Sequence, residues 1–167
     1  MEKQKREAMY GNSRFAVAIH VLALARIAME EAAGVAVTSE RMAESVCAHP
    51  VHVRRVLGAL REAGLVTSQP GPGGGWRLSR APEAITLRDI FRAVEHEPLF
   101  GLPKGPSQDC PISRCLPGVL ATCFQDAEAA LEERLAQVTI ADVIGAVRGE
   151  VDRAGISPLN ARLPSQL

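Results

Sequence analysis

The stretch that decides the fold runs from Thr38 to Leu78 and reads TSERMAESVCAHPVHVRRVLGALREAGLVTSQPGPGGGWRL. Two short amphipathic segments, residues 38–47 and 50–63, are separated by a tight break. A Pro/Gly-rich turn at residues 70–75 then divides two short runs of strand-forming residues. This order predicts a helix, a turn, a second helix and a two-stranded hairpin.

Local signals at the ends of these segments agree with that prediction. Thr38 or Ser39 can cap the first helix, because a hydroxyl at that position accepts from a backbone N–H that has no partner inside the helix. Pro50 suits the first position of the second helix, where its missing N–H costs nothing, and Gly64 can adopt the left-handed conformation that ends it. Val37 is predicted to start a small strand that pairs with the hairpin.

The second predicted helix has one apolar face and one polar face. Its apolar positions recur at helical spacing and are Val53, Val56, Leu57 and Leu60. Val51 and Arg55 then lie on the opposite side, with His52 and Arg54 on the flanks, so the N-terminal half of the helix is predicted to present arginine and histidine to solvent. Helix-turn-helix proteins use this end of the second helix to reach base edges, and arginine is the commonest reader of guanine. A solvated face on an ordinary helical hairpin is the alternative at this point.

The turn inside the hairpin favours a DNA-binding function. Five residues, Gly71–Gly75, are more than a hairpin needs, so the prediction is that bare backbone at Gly73 and Gly74 approaches another molecule closely. A phosphate-cradling loop would need a Lys-Ser/Thr pair and a following helix, whereas Trp76–Leu78 has the pattern of a strand. A wing beside the DNA backbone, with Arg77 and Arg80 supplying charge nearby, fits better.

Several segments together resemble the Rrf2 family of bacterial winged-helix transcription regulators, which includes iron–sulfur-cluster regulators and nitric-oxide-sensing repressors. The matching segments are Ser13–Val17, Pro50–Leu57, Arg61–Val66, Gly71–Leu78 and Ile85–Leu87. The resemblance extends from about Ser13 to Val147. It implies that Arg14 lies near the DNA backbone. Many relatives carry arginine just before the wing glycines, where this chain has Gln69 and Pro70.

The predicted fold is mainly α with a small β-hairpin wing, comprising a winged helix-turn-helix domain and a long C-terminal dimerisation helix. The winged domain is expected at residues 13–96, a cysteine-containing linker loop at 97–116, dimerisation helices at 117–148 and a tail at 149–167. The long helix is predicted to begin at Pro117. Its expected dimer seam consists of Leu120, Phe124, Ala127, Leu131, Leu135 and Val138.

Charge is divided between the two halves of the chain, although it sums to zero. Residues 1–96 carry 13 lysines and arginines against 10 acidic side chains, and residues 97–167 carry 6 against 9. The halves therefore carry +3 and −3, which places the positive charge with the helix-turn-helix. The apolar run Phe15–Ala25 is too short to span a bilayer, so we expect a cytoplasmic protein without membrane contact.

The four cysteines are expected to be free thiols in that compartment. Cys47 and Cys123 are interpreted as apolar filler, in the turn between the motif helices and near the dimer seam. Cys110 and Cys115 lie in a Pro-rich segment predicted to be a loop, where the pair can close a disulfide or ligate a metal. In a thiol switch Cys115 reacts first, an order that the neighbouring Arg114 favours, and Cys110 resolves it.

The resemblance makes an iron–sulfur cluster a second candidate, since several relatives hold one with three cysteines in this region. The ligands here would be Cys110, Cys115 and Cys123. Some relatives complete the site with an acidic side chain near the start of the partner subunit's first helix, where this chain has Arg14. A cation is a poor ligand, so the prediction ranks a thiol switch without a cofactor above the cluster. A regulator without a sensor, or one that responds to a small molecule, in which the cysteines are incidental, is the third alternative.

These features predict a homodimeric, sequence-specific DNA-binding transcription regulator, a repressor that responds to redox stress through Cys110 and Cys115. Its partners would be a palindromic double-stranded operator and a second copy of the chain. The residues predicted to contact the operator are Arg14, Ser39, Val51, His52, Arg54, Arg55, Gly73, Gly74 and Arg77. An iron–sulfur-dependent regulator and a winged-helix protein-interaction module without DNA binding are the alternatives. A thiol or metal enzyme is disfavoured, because the sequence contains no nucleophile–base pattern and no zinc-ligand spacing.

Overall fold

A computed structural model describes residues 14–31, 36–102 and 109–155. Within them the chain forms six α-helices, one β-hairpin and one short 3₁₀ turn. These are α1 (Arg14–Glu31), α2 (Ser39–Val46), α3 (Pro50–Glu62), β1 (Val66–Gln69), β2 (Gly75–Leu78), the 3₁₀ turn (Pro82–Ala84), α4 (Leu87–Val94), α5 (Pro111–Ala136) and α6 (Ile140–Arg153). Ser13, at the start of the resemblance, lies outside the described residues. No helix in the described part of the chain has the length and apolar character needed to cross a membrane.

The helix-turn-helix forms as the local signals predicted. Thr38 caps α2, its hydroxyl accepting from the Arg41 N–H at 3.3 Å. The helix ends at Cys47, which adopts a left-handed conformation with φ +52°. Pro50 occupies the first turn of α3, and Gly64 beyond its end has φ +68°. The tight turn between the helices fixes the start of α3 relative to α2.

The core is built around α1, which packs against α2, α3, α4, α6 and the second strand. Its predicted apolar positions are all buried, namely Val17, Val21, Leu24 and Ile27. The largest fully enclosed side chains come from every layer of the domain and include Leu22, Met42, Leu57, Leu65, Ile85 and Ile90. No polar or charged residue is buried among the described residues, so the core is held together by aliphatic packing.

The wing is a two-stranded antiparallel hairpin that runs from the Val66–Leu78 pair to the Gln69–Gly75 pair. The predicted small strand at Val37 is confirmed as a single bridge to Trp76, whose N–H donates to the Val37 carbonyl at 2.9 Å. This bridge ties the hairpin to the segment just before α2. The wing is therefore fixed to the motif whose side it flanks.

The last helix differs from the prediction, since α6 starts in the core of the winged domain. Ile140 and Ile144 are buried there, at 0% and 4% exposure. Thr139 and Thr86 form matching capping boxes at the starts of α6 and α4, and the two residues pair as an isolated β-bridge. The Ile140 N–H also donates to the Ile85 carbonyl at 2.9 Å. The helix continues to Arg153, beyond the predicted end at residue 148.

The long helix α5 begins at Pro111, six residues before the predicted start at Pro117. The Arg114 N–H donates to the Cys110 carbonyl at 3.1 Å, which establishes the first turn. Both prolines precede helical sequence, and Pro111 takes the first position, where a proline loses no bond. Pro117 lies inside the helix. The predicted loop at residues 97–116 therefore ends before Pro111.

Candidate nucleic-acid interface

The exposed side of α3 carries the two arginines predicted to read DNA. The predicted apolar stripe is buried, at 2% exposure or less for Val53, Val56, Leu57 and Leu60. Arg54 and Arg55 are exposed, and Val51 at the start of the helix is 44% exposed. A helix anchored on one face with arginines near its N-terminus on the other has the form that fits a major groove.

Glu40, in the first turn of α2, links two of the predicted contact residues. Its Oε1 accepts from the Ser39 hydroxyl at 3.1 Å and pairs with Arg54 Nη2 at 3.2 Å. The pKa of Glu40 is lowered, chiefly by a hydrogen bond from its own backbone N–H and then by the Ser39 hydroxyl and the Arg54 charge. Glu40 and Arg54 lie on different helices, so no helical spacing in the sequence indicates the pair.

The two histidines of the motif have different roles. His49 caps α3, its Nδ1 accepting from the Val51 N–H at 3.2 Å. Histidine is not among the preferred capping residues, so this role has little signal in the sequence. His52 was expected to face solvent, but it is half-buried, and its enclosed Nε2 has no hydrogen-bond partner within the described structure. Packing against the motif therefore covers part of the His52 ring.

Two of the wing glycines are required by contacts inside the chain. A Cβ on Gly74 would lie 2.2 Å from the Gln69 carbonyl oxygen, and one on Gly75, with φ +148°, would lie 2.8 Å from the Val37 oxygen. At these two positions the close approach predicted for the glycine backbone is therefore made to other backbone atoms of the same chain. Gly73 is exposed, and a Cβ added to it would meet no atom of the described structure within 4 Å. Of the glycines proposed to contact DNA, Gly73 is the more accessible.

Three further arginines near the proposed interface differ in their exposure and contacts. Arg77 is half-buried in the second strand, with its Nε enclosed and without a partner in the described structure. Arg61 lies over the Trp76 ring, 5.9 Å from the centroid, which holds the hairpin against α3. Arg14, at the start of α1, is exposed. Its neighbour Phe15 makes an edge-on contact with Phe91 at 5.4 Å, so the start of α1 is anchored.

The four cysteines are free thiols, but their surroundings differ from the predictions. Cys47 is exposed at the end of α2 and does not fill the core as expected, because the left-handed turn directs it outward. Cys123 is also exposed in the single chain. Cys110 occupies the N-cap position of α5 without a side-chain capping bond and Cys115 lies inside that helix, so the expected loop around this pair is wrong.

The described positions of the cysteines do not fit an iron–sulfur cluster. Cys110, Cys115 and Cys123 are spread over about 19 Å of one helix at 1.5 Å per residue. A cluster needs its thiolates to converge on irons that share bridging sulfurs. Within the described residues no group of three or more histidine, cysteine or acidic side chains could hold a metal ion.

One face of α5 is held by the rest of the chain. Phe124 stacks on Phe100 at 4.9 Å between ring centroids, and the Glu128 carboxylate accepts from the Leu99 N–H at 2.9 Å. Glu132 forms an ion pair with Arg92 of α4, which lowers the pKa of Glu132. Part of the predicted dimer seam therefore packs against its own chain, and Leu120, Phe124 and Leu135 are half-buried.

The opposite face of α5 is apolar and open. Ile112 and Val119 are 71% and 68% exposed, and Leu116 between them is 43% exposed. At 100° per residue these positions share one face with Cys123, roughly 90° around the helix from the centre of the predicted seam, and Ala127 of the seam lies between the two. No residue of this 26-residue helix is buried in the single chain. The open face is thus the surface on α5 that a partner could cover.

Comparison with known proteins identifies the family. Residues 12–146 match the Rrf2 family, which is described as iron-dependent transcriptional regulators. The chain belongs to this family. This confirms the predicted resemblance to the Rrf2 family and the predicted winged-helix fold. It also confirms that the protein is a regulator rather than an enzyme.

Relatives within the family agree on a helix-turn-helix regulator. YwnA of Bacillus subtilis strain 168, an HTH-type transcriptional regulator by name, is 37% identical over 134 residues, covering 80% of this chain and 96% of YwnA. An IscR of Cereibacter sphaeroides, also named as an HTH-type transcriptional regulator, is 38% identical over 79 residues. That match covers 47% of this chain and 48% of the IscR.

Solved structures agree on the fold. A crystal structure described as that of a DNA-binding protein superposes with a TM-score of 0.61 at 35% identity, covering 79% of this chain and 99% of the other. An IscR of T. potens has a TM-score of 0.55 at 23% identity, covering 92% of this chain and 91% of its own. The second likeness supports the fold alone.

Proposed function

We propose that this protein is a homodimeric, sequence-specific DNA-binding regulator that represses by occupying a palindromic operator. The observation that carries the proposal is the α3 face, on which Arg54 and Arg55 are exposed above a fully buried apolar stripe. Buried apolar residues fix how the helix is presented, and the arginines supply the donors that duplex DNA requires.

Each contact residue has a distinct task in this proposal. Arg55 points away from the core and reads a guanine edge, while Val51 meets a thymine methyl group in the same groove. Arg54, Ser39 and Arg14 bind phosphates and set the register of the protein on the duplex. His52 contacts DNA through the exposed part of its ring. In the wing, Gly73, Gly74 and Arg77 lie along the adjacent backbone.

The open face of α5 is the dimer contact in this proposal. Ile112, Leu116 and Val119 form a contiguous exposed apolar surface, which a monomer would leave in water at a cost in free energy. A second copy related by a two-fold axis covers the same face on both chains. Two α3 helices can then reach half-sites about one helical turn apart, about 34 Å, on an operator with matching symmetry.

The sensing step proposed for Cys110 and Cys115 now includes a change of secondary structure. In an intact helix their Cα atoms lie about 9 Å apart, beyond the reach of about 7 Å that a disulfide allows. Peroxide oxidises the Cys115 thiol to a sulfenic acid, and Cys110 then displaces water to form the disulfide, so two electrons pass to the peroxide. Closing the bond requires the first turn of α5 to unwind. The cysteine positions give the cluster alternative no comparable support.

The experiment that tests the function measures binding to a duplex from the promoter region of the protein's own gene. Arg55→Ala should weaken binding by about 1 to 3 kcal/mol, with little change in melting temperature, because Arg55 is exposed. Arg153→Ala, which removes an exposed arginine paired within the last turn of α6, is the matched control. Affinity of the wild type should fall steeply with salt.

Two results would contradict the proposal. Equal affinity of wild type and Arg55→Ala for the promoter duplex would mean that α3 does not read bases. Absence of any salt-sensitive DNA binding by the wild type would favour the protein-interaction alternative, since neutralisation of phosphates makes every such complex salt-dependent.

A further inference from the structure

The ion pair between Glu40 and Arg54 lies at the end of the motif where DNA is proposed to bind. Both side chains are exposed, at 62% and 55%, so the pair sits at the surface. Arg54 Nη2 lies 3.2 Å from the Glu40 oxygen that also accepts from Ser39. Two proposed phosphate contacts are thus directed at one carboxylate oxygen in the free protein.

We infer that Glu40 limits the affinity of this protein for DNA of any sequence, by holding Arg54 and Ser39 in contacts that compete with phosphate. The inference rests on the proposed function. Glu40 acts through its neighbours, so it is a positioning residue and itself contacts no base.

The charges at this end of α3 explain why one carboxylate matters. Arg54 and Arg55 are adjacent, and Glu40 compensates one of the two positive charges before DNA arrives. Each phosphate that a protein neutralises steepens the slope of log affinity against log salt concentration by about 0.9 for B-DNA. The whole N-terminal half carries only a small excess of positive charge, so one compensated arginine is a large part of what the interface can offer.

The consequence concerns competition between sites. Sequence-independent contacts strengthen binding to every stretch of a genome, and the useful quantity is the ratio of specific to non-specific affinity. Arg55 makes no ion pair among those described and is left to read a base, whereas Arg54 is restrained. A carboxylate that weakens a phosphate contact lowers the affinity for the operator and for irrelevant DNA alike, so discrimination is left to Arg55 and the protein dissociates more readily from irrelevant DNA.

A purely structural role for Glu40 predicts something else. An acidic side chain in the first turn of a helix interacts favourably with the helix dipole, and its removal lowers stability slightly. That role would change the melting temperature and leave the salt dependence of DNA binding unaltered. Measurements of both quantities separate the two roles.

The test uses a duplex of random sequence, because the inference concerns binding of any sequence. Glu40→Gln should raise affinity about threefold to tenfold at 0.05 M salt and steepen the plot of log affinity against log salt by about 1. Glu62→Gln makes the same charge change about 12 Å further along α3 from Arg54 and should have a much smaller effect. In an Arg54→Ala background, Glu40→Gln should change affinity little.

Three outcomes would overturn the inference. One is no change in Glu40→Gln, and another is weaker binding, which would mean that the carboxylate itself contacts DNA. The third is an equal gain with and without Arg54, which would indicate a general charge effect. If the wild type binds no duplex in a salt-dependent way, the proposed function fails as well, and that result is distinct from the other three.

Discussion

The packing of α6 predicts that the stability of the winged domain depends on a residue near the far end of the chain. Ile140 is 0% exposed among side chains of the winged domain. Replacing it with alanine removes three buried carbon groups at about 0.8 kcal/mol each, or about 2.4 kcal/mol. The cavity that remains adds to this, so Ile140→Ala should cost about 2 to 4 kcal/mol of unfolding free energy.

Urea denaturation followed by circular dichroism measures this cost. For a chain of 167 residues the expected loss corresponds to a melting temperature lower by roughly 5 to 15 °C. Val147→Ala, at a position of the same helix that is 38% exposed, is the matched control and should change stability by less than about 1 kcal/mol. Protein concentration must be equal in all samples, because a dimer gains stability from association.

Either of two results would refute this reasoning. If Ile140→Ala loses less than about 1 kcal/mol, the first turn of α6 is not part of the core. If two separate transitions appear in the wild type, α6 and the winged domain unfold independently, and the division at residue 117 that the sequence suggested would be the better description.

The remaining predictions concern assembly, redox response and pH. Val119→Glu should give monomers in sedimentation, since it places a charge on the open face of α5, and Leu131→Asp should act more weakly because Leu131 is only 36% exposed. Mild peroxide should link Cys110 to Cys115 within one chain and weaken DNA binding reversibly, and Cys115→Ser should abolish both effects as judged by peptide mass and binding. Hydrogen bonds from the backbone N–H and the hydroxyl of Thr139 lower the pKa of Asp142 below its ordinary value of 3.8. Ionised Asp142 therefore stabilises the folded protein above pH 3.8, its ordinary pKa, and this stabilisation is lost as the pH falls through the lower pKa of the folded state. Asp142→Asn should reduce the acid sensitivity of unfolding below about pH 4.

Short-range signals predicted the motif correctly. A hydroxyl at Thr38, proline at Pro50 and glycine at Gly64 each act within one turn of their own position, and the structure uses all three. The buried stripe of α3 follows from helical period alone. The bridge between Val37 and Trp76 also followed, because an isolated strand residue beside a hairpin needs a partner for its backbone groups.

Features that depend on distant contacts could not be predicted in the same way. Pro111 and Pro117 each suit a helix start, and the choice between them depends on where the chain leaves α4 and returns. Helical period identifies the apolar positions of α5, but contacts with distant residues, such as the stacking of Phe124 on Phe100, decide which of them face inward. The Glu40–Arg54 pair depends likewise on how two helices are placed across a turn.

The described contacts of α5 indicate how a change at its cysteines would reach DNA. Phe124, Glu128 and Glu132 join the later part of the helix to its own chain, whereas Cys110 and Cys115 lie at its start. Unwinding of the first turn would therefore leave the attachment of α5 to the winged domain in place. It would remove the exposed apolar side chains at the start of α5 from the open face, and with them part of the proposed dimer contact. In this arrangement oxidation changes the spacing between the two α3 helices of the dimer, while each α3 itself remains intact. Oxidised protein should therefore keep its weak affinity for non-specific DNA and lose its preference for the operator.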